Sequence, residues 1–180
     1  VQQLSKSVGD KKIPVLDESM SSLDSIFSKY APGKVPGIGF GLTENSAAGL
    51  VYGAEAALGI KDAAEAKNVR GQLKRWTNII TRASAGLAQT VQETANVLAE
   101  TMAKKTASEE DIRNAYDNWR RAYMEERATA FAGADPQVVS EFYRRKGQKA
   151  LFYAPGLQEA EALAKDLQAR GIRNFGVKPA

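Results

Sequence analysis

One apolar stripe constrains this chain more than any other feature. From Val69 the apolar positions are Val69, Leu73, Trp76, Ile80, Leu87, Val91, Leu98 and Met102, with the small residues Ser84 and Ala95 filling the two gaps. The mean spacing is about 3.67 residues per step, an eleven-residue rhythm rather than the heptad that forces a left-handed supercoil. It predicts a nearly straight helix. Over 62–105 such a rod would extend on the order of 65 Å at about 1.5 Å per residue, longer than a compact domain of this size needs. Burying each large stripe residue is worth roughly 1.5–3 kcal/mol, so the seam must be covered along most of its length. Two coverings fit equally. The eight residues could be subunit contacts in a homo-oligomer, or helices from the C-terminal half could fold back over them within one chain.

The rest of the 180 residues reads as helix around this rod. Residues 1–12 are polar and aperiodic, a mobile or docked tail. Pro14 suits a first helical turn, and Leu16, Met20, Leu23, Phe27 and Tyr30 then mark an amphipathic helix over 13–30. A Gly/Pro linker follows over 31–44. Helix resumes at about residue 45 and runs to 105, with an alternative break at 59–61, where Gly59 and Ile60 resemble a C-terminal stop.

Residues 106–180 read as a C-terminal helical subdomain. Thr106 and Glu109 form a capping box ahead of a helix whose apolar face is Ile112, Tyr116, Trp119, Tyr123 and Ala130, with Arg120, Arg121, Glu125, Glu126 and Arg127 left in solvent. Asp135 and Pro136 start a short helix that turns Val138, Val139, Phe142 and Tyr143 inward and stops at Gly147. The stretch Ala150–Tyr153 reads as a strand and 155–170 as a helix stopped by Gly171 and Ile172. The tail from Ile172 either pairs with the strand in a small strand-helix-strand corner or docks as coil. The fold class expected is therefore all-α, with extended helical hairpins around one long rod and this corner at the C-terminus.

Composition closes off chemistry more than it opens any. The chain has no histidine and no cysteine, which removes His-paired nucleophiles, thiolate catalysis, disulfides and nearly every zinc or copper site. Gly37, Gly39 and Gly41 lack the lysine and hydroxyl of a phosphate-cradling loop. The acidic pairs Glu109-Glu110 and Glu125-Glu126 point to different sides of a helix and read as exposed charge. No active site, cofactor, metal or small-molecule substrate is expected. Val1 in place of methionine points to a processed chain or a piece of a longer one.

A net charge of +4 permits contact with phosphate or anionic lipid. The densest basic run is Tyr143–Lys149. Arg144, Arg145, Lys146 and Lys149 could hold phosphate and Tyr143 could stack on a base, with Arg120 and Arg121 adding charge. Against that reading, cations at a helix C-terminus are stabilising without any ligand. Gly49 and Gly53, four apart in the apolar run ending at Ile60, are the one feature compatible with membrane contact.

The stretches AAGLVYGAEAALG and RASAGLAQTVQETANVLAETMAKK resemble the internal or ejection proteins and tape-measure-type proteins of tailed-bacteriophage virions. The resemblance covers the middle half of the chain. It implies localisation in the virion and several copies around a channel or axis, in contact with other virion proteins. It further implies rearrangement during genome delivery, with helices able to meet DNA or membrane. It carries over no functional residue. The leading expectation is a non-enzymatic structural component of a multi-chain assembly. The alternative is a nucleic-acid-binding helical module using the C-terminal basic residues.

Overall fold

The stripe does not lie on one rod. The computed structural model describes residues 12–36, 38, 61–104 and 107–180. In it the stripe is divided between helix α2 (Lys61–Ser84) and helix α3 (Gln89–Ala103), which contact each other across a turn at 85–88. Gly86 takes φ +91° there, and the Leu87 amide closes the helix end on the Ser84 carbonyl at 3.1 Å. A helix cannot continue through a residue held in the left-handed region, so the straight 65 Å rod is replaced by two shorter helices.

The chain itself buries Val69, Leu73, Ile80, Leu87, Val91 and Leu98, while Trp76 and Met102 are half-buried. Covering those six positions therefore needs no second copy, as the intrachain alternative expects.

The remaining described elements are α1 (Ile13–Lys29), α4 (Glu109–Phe131), α5 (Pro136–Arg145), β1 (Ala150–Ala154), α6 (Leu157–Ala169) and β2 (Phe175–Pro179). The protein is mostly helical with a small two-stranded parallel sheet. Two units emerge, Glu18–Glu126 and Val1–Asp17 with Arg127–Ala180. The division between them falls inside α4, between Glu126 and Arg127. The tail at 1–11, half of the Gly/Pro linker, the Gly59-Ile60 stop and the Gly49–Ile60 membrane reading lie outside the described residues. No helix among the described residues is long and apolar enough to cross a membrane.

In the unit Glu18–Glu126, the apolar face of α1 contributes Met20, Leu23, Ile26 and Phe27 to the core. From α4 come Tyr116, Trp119 and Tyr123, whose rings follow Phe27 in a row with centroids 5.2, 6.0 and 5.2 Å apart. Ser84 is small enough to let this row approach α2, and its hydroxyl accepts the Trp119 indole N–H at 3.3 Å. The start of α4 differs from the expected capping box. Ser108 and Asp111 form it, with the Ser108 hydroxyl accepting from the Asp111 amide at 3.1 Å and the Asp111 carboxylate accepting from the Ser108 amide at 2.8 Å. Hydrogen bonds from the Ser108 amide and then the Ser108 side chain hold the Asp111 carboxyl below its ordinary pKa. Glu109 turns inward instead, accepting from the Val35 amide at 3.3 Å and from Arg113 Nε at 2.8 Å.

The unit Val1–Asp17 with Arg127–Ala180 holds the strand-helix-strand corner. Parallel strands need a crossover, and α6 supplies it between β1 and β2, which pair from Ala150 opposite Phe175 to Ala154 opposite Pro179. Asp135 caps α5 through the Gln137 amide at 2.8 Å, with Pro136 in the first turn. Gly171 closes α6 at φ +75°, with the Ile172 amide bonded to the Leu167 carbonyl at 3.0 Å and Ile172 buried.

Gly86 gives a test in which the sign decides. A Cβ built there meets no atom within 4 Å, so Gly86→Ala should act through the backbone alone. Held in the left-handed region, the alanine should cost about 1–2 kcal/mol in urea unfolding. In a continuous helix the same substitution would stabilise by about 1 kcal/mol.

Candidate functional site: a buried arginine node and an exposed basic turn

Along α4 the buried positions Tyr116, Trp119 and Tyr123 step by three and four, and the next step of four lands on Arg127. That arithmetic puts a cation on the core face of the helix. Arg127 is 5% exposed, and Asp17, on the core face of α1, is 4% exposed. The pair is bidentate, with Nε to Oδ1 at 2.8 Å and Nη2 to Oδ2 at 3.0 Å. Nη2 also donates to the Leu151 carbonyl of β1, and the Tyr143 hydroxyl of α5 donates to Asp17 Oδ2 at 2.9 Å. The guanidinium lies 4.8 Å from the Phe131 ring centroid and 5.0 Å from that of Tyr153.

Burial, and then the neighbouring Asp17 carboxylate, push the Tyr143 hydroxyl well above the ordinary tyrosine pKa. It therefore stays a proton donor across the physiological range. The cluster has the form of a structural tie. Its charges are satisfied by one another and by backbone, which is what makes burying them tolerable.

This geometry corrects two expectations. Arg127 is not a solvated charge. Tyr143 cannot stack on a base, because its ring is buried beside Phe131 and Phe142, with centroids 6.2 and 5.6 Å away.

Four of the remaining expected nucleic-acid contacts do come together at the end of α5. Gly147, at φ +69°, ends the helix, with its amide on the Arg144 carbonyl and the Gln148 amide on the Tyr143 carbonyl. Arg144, Arg145, Lys146 and Lys149 are all exposed around this turn. Both arginines bind one carboxylate, Glu141, with Nε distances of 2.7 and 3.0 Å. Hydrogen bonds from Arg144 and then Arg145 pull the Glu141 carboxyl down to about 2. Lys146 sits 5.1 Å over the Phe142 ring. One acid thus faces four cations, and the turn keeps a positive excess.

Arg120 and Arg121 belong to the other unit. There Arg120 Nε pairs with Asp24 at 3.1 Å, while Arg121 is exposed.

The Asp24 pair lines an open cavity of about 420 Å³ bounded by Asp24, Phe27, Ser28, Arg113, Tyr116, Asp117 and Arg120. The sequence reading did not find it. Its polar walls are occupied by helix-to-helix bonds. Arg113 donates to the Phe27 and Tyr30 carbonyls at 3.1 and 3.2 Å, and the Tyr116 hydroxyl donates to Asp24 at 2.6 Å. No group of three or more metal-ligating side chains occurs among the described residues. Comparison with protein-family models, with curated proteins and with solved structures gives no match.

Two outcomes follow. Asp17→Asn leaves the Arg127 cation buried without a counter-charge and should cost about 3–5 kcal/mol in urea unfolding. An effect below about 1 kcal/mol, as for a surface pair, would show that the node is solvated. For Glu141, whose folded pKa is depressed, the stabilisation is fully present above its ordinary value of 4.5 and is lost as the pH falls through about 2. A carboxyl-carbon NMR titration should place its midpoint near that lower value, and a midpoint near 4.5 would mean that the two arginines do not hold it.

Proposed function

We propose that this chain is a non-enzymatic structural component of a multi-subunit assembly, of the kind formed by internal, ejection or tail-type proteins of tailed-phage virions, acting in particle architecture and genome delivery. The observation that carries the reading is the use made of the ionisable groups. Asp17, Arg127, Asp24 and Glu109 all join separate elements of the chain, which is scaffold work. The resemblance of the central stretches to virion proteins supplies the setting. With six stripe residues already covered, subunit contacts would use other surfaces, for which half-buried Trp76 and Met102 and the 52%-exposed Val97 are available.

Sedimentation equilibrium tests the proposal. A discrete multiple of 19.4 kDa is expected at micromolar concentration, and a strict monomer up to about 1 mM, a concentration at which even weak association registers, would contradict it.

A second reading, as a nucleic-acid-binding module, is favoured by the exposed turn of Arg144, Arg145, Lys146 and Lys149. Gel shifts with duplex DNA would then show affinity falling with salt at a log-log slope of about −2.7 to −3.6 for three or four phosphate contacts. Absence of any shift at low ionic strength would end this reading.

A further inference from the structure

A two-stranded parallel sheet has two outer edges, and here they differ. The Ala150 amide donates to the Asn174 carbonyl at 3.1 Å and the Ala180 amide to the Ala154 carbonyl at 2.7 Å. Successive peptide groups along a strand alternate in direction. Residues 150, 152 and 154 therefore face β2, and 174, 176, 178 and 180 face β1. Leu151 and Tyr153 point outward on β1, as do Phe175, Val177 and Pro179 on β2.

The β1 edge is covered, since the Leu151 carbonyl accepts from Arg127 and α5 packs against that strand. Among the described residues the β2 edge is open. No further strand pairs with it, and the outward amides and carbonyls of Phe175 and Val177 have no hydrogen-bond partner among the described residues.

Charge indicates what fits this edge. From Gly171 to Ala180 the sequence contains Arg173 and Lys178 and no acid. Both are exposed, and neither closes an ion pair among the described residues. Opposite charges across a strand pair are favourable and like charges are not, which disfavours a second copy of the same basic edge. Pro179 offers no amide, so pairing stops after a short stretch.

We propose that the outer edge of β2 docks a short, extended, acidic segment of a partner protein by strand addition, with Phe175 and Val177 pairing its main chain and Arg173 and Lys178 meeting its carboxylates. The inference rests on the assembly reading, since it names one contact surface that such a component would use.

The test is fluorescence anisotropy of the full chain with labelled eight-residue peptides that alternate Glu with Val or Tyr. Saturable binding is expected for the acidic peptides and none for their Lys counterparts. Val177→Pro removes an outward amide without removing a bond between β1 and β2, and should weaken binding about tenfold with an unchanged circular dichroism spectrum. Arg173→Glu with Lys178→Glu should weaken it at least as much. N-methylating alternate peptide amides should abolish it on the unaltered protein, which keeps the test independent of any folding defect.

The proposal is overturned if no acidic peptide binds up to about 1 mM, or if N-methylated peptides bind equally well, which would be adhesion by charge alone. It is equally overturned if Val177→Pro dissolves an oligomer of the chain, which would assign the edge to a second copy. A chain that oligomerises but ignores the peptides defeats the docking edge and leaves the assembly reading standing. A strict monomer that binds them does the reverse.

Discussion

The guanidinium of Arg127 is the point on which the unit containing the sheet depends. Four elements converge on it: the first turns of α1 through Asp17, its own helix through Phe131, α5 through Tyr143, and β1 through both its backbone and the Tyr153 ring. A buried cation is costly unless all its directions are answered, and here a bidentate carboxylate, a carbonyl and two ring faces answer it. The arrangement contributes specificity as much as stability. Any shift of α5 or β1 along its axis would strand a charge in an apolar interior. The same bond occupies the outward carbonyl of Leu151, which helps to close that edge of the sheet.

Between α1 and α4 in the unit Glu18–Glu126, apolar packing does more of the work. The row of Phe27, Tyr116, Trp119 and Tyr123 fills the space, and polar ties at its margin set the register. The Tyr116 hydroxyl reaches the Met20 carbonyl and Asp24, and Arg113 reaches the Phe27 and Tyr30 carbonyls. These bonds also account for the polar cavity beside Asp24, whose walls are charged because the helices are joined there.

Much of this fold was legible in the residues where local chemistry decides the outcome. The amphipathic face of α1, the Asp135-Pro136 start of α5, the Gly147 and Gly171 stops and the strand-helix-strand corner all follow from caps and periodicity. The break between α2 and α3 was equally written. Gly86 followed by Leu87 is the glycine-then-apolar signature that Gly171-Ile172 carries, but the unbroken rhythm of the stripe masked it. A stripe can keep its phase across a short turn when both helices bury the same seam, so periodicity alone does not prove continuity. Arg127 was misread for a related reason. It occupies a core position of its helix, and charge was taken to mean solvent. Position and chemistry disagreed, and the resolution needed a partner about a hundred residues distant, which no local pattern reveals.

Side-chain NMR of Arg127 addresses the buried node most directly. With the signal assigned by its loss in Arg127→Lys, the Nε–H resonance should persist at neutral pH, exchange with water far more slowly than that of exposed Arg121, and show a cross-peak to the Tyr143 ring. An Arg127 Nε–H that exchanges as fast as that of Arg121, with no contact to Tyr143, would mean that the cation lies in solvent and that the unit is held together by something else.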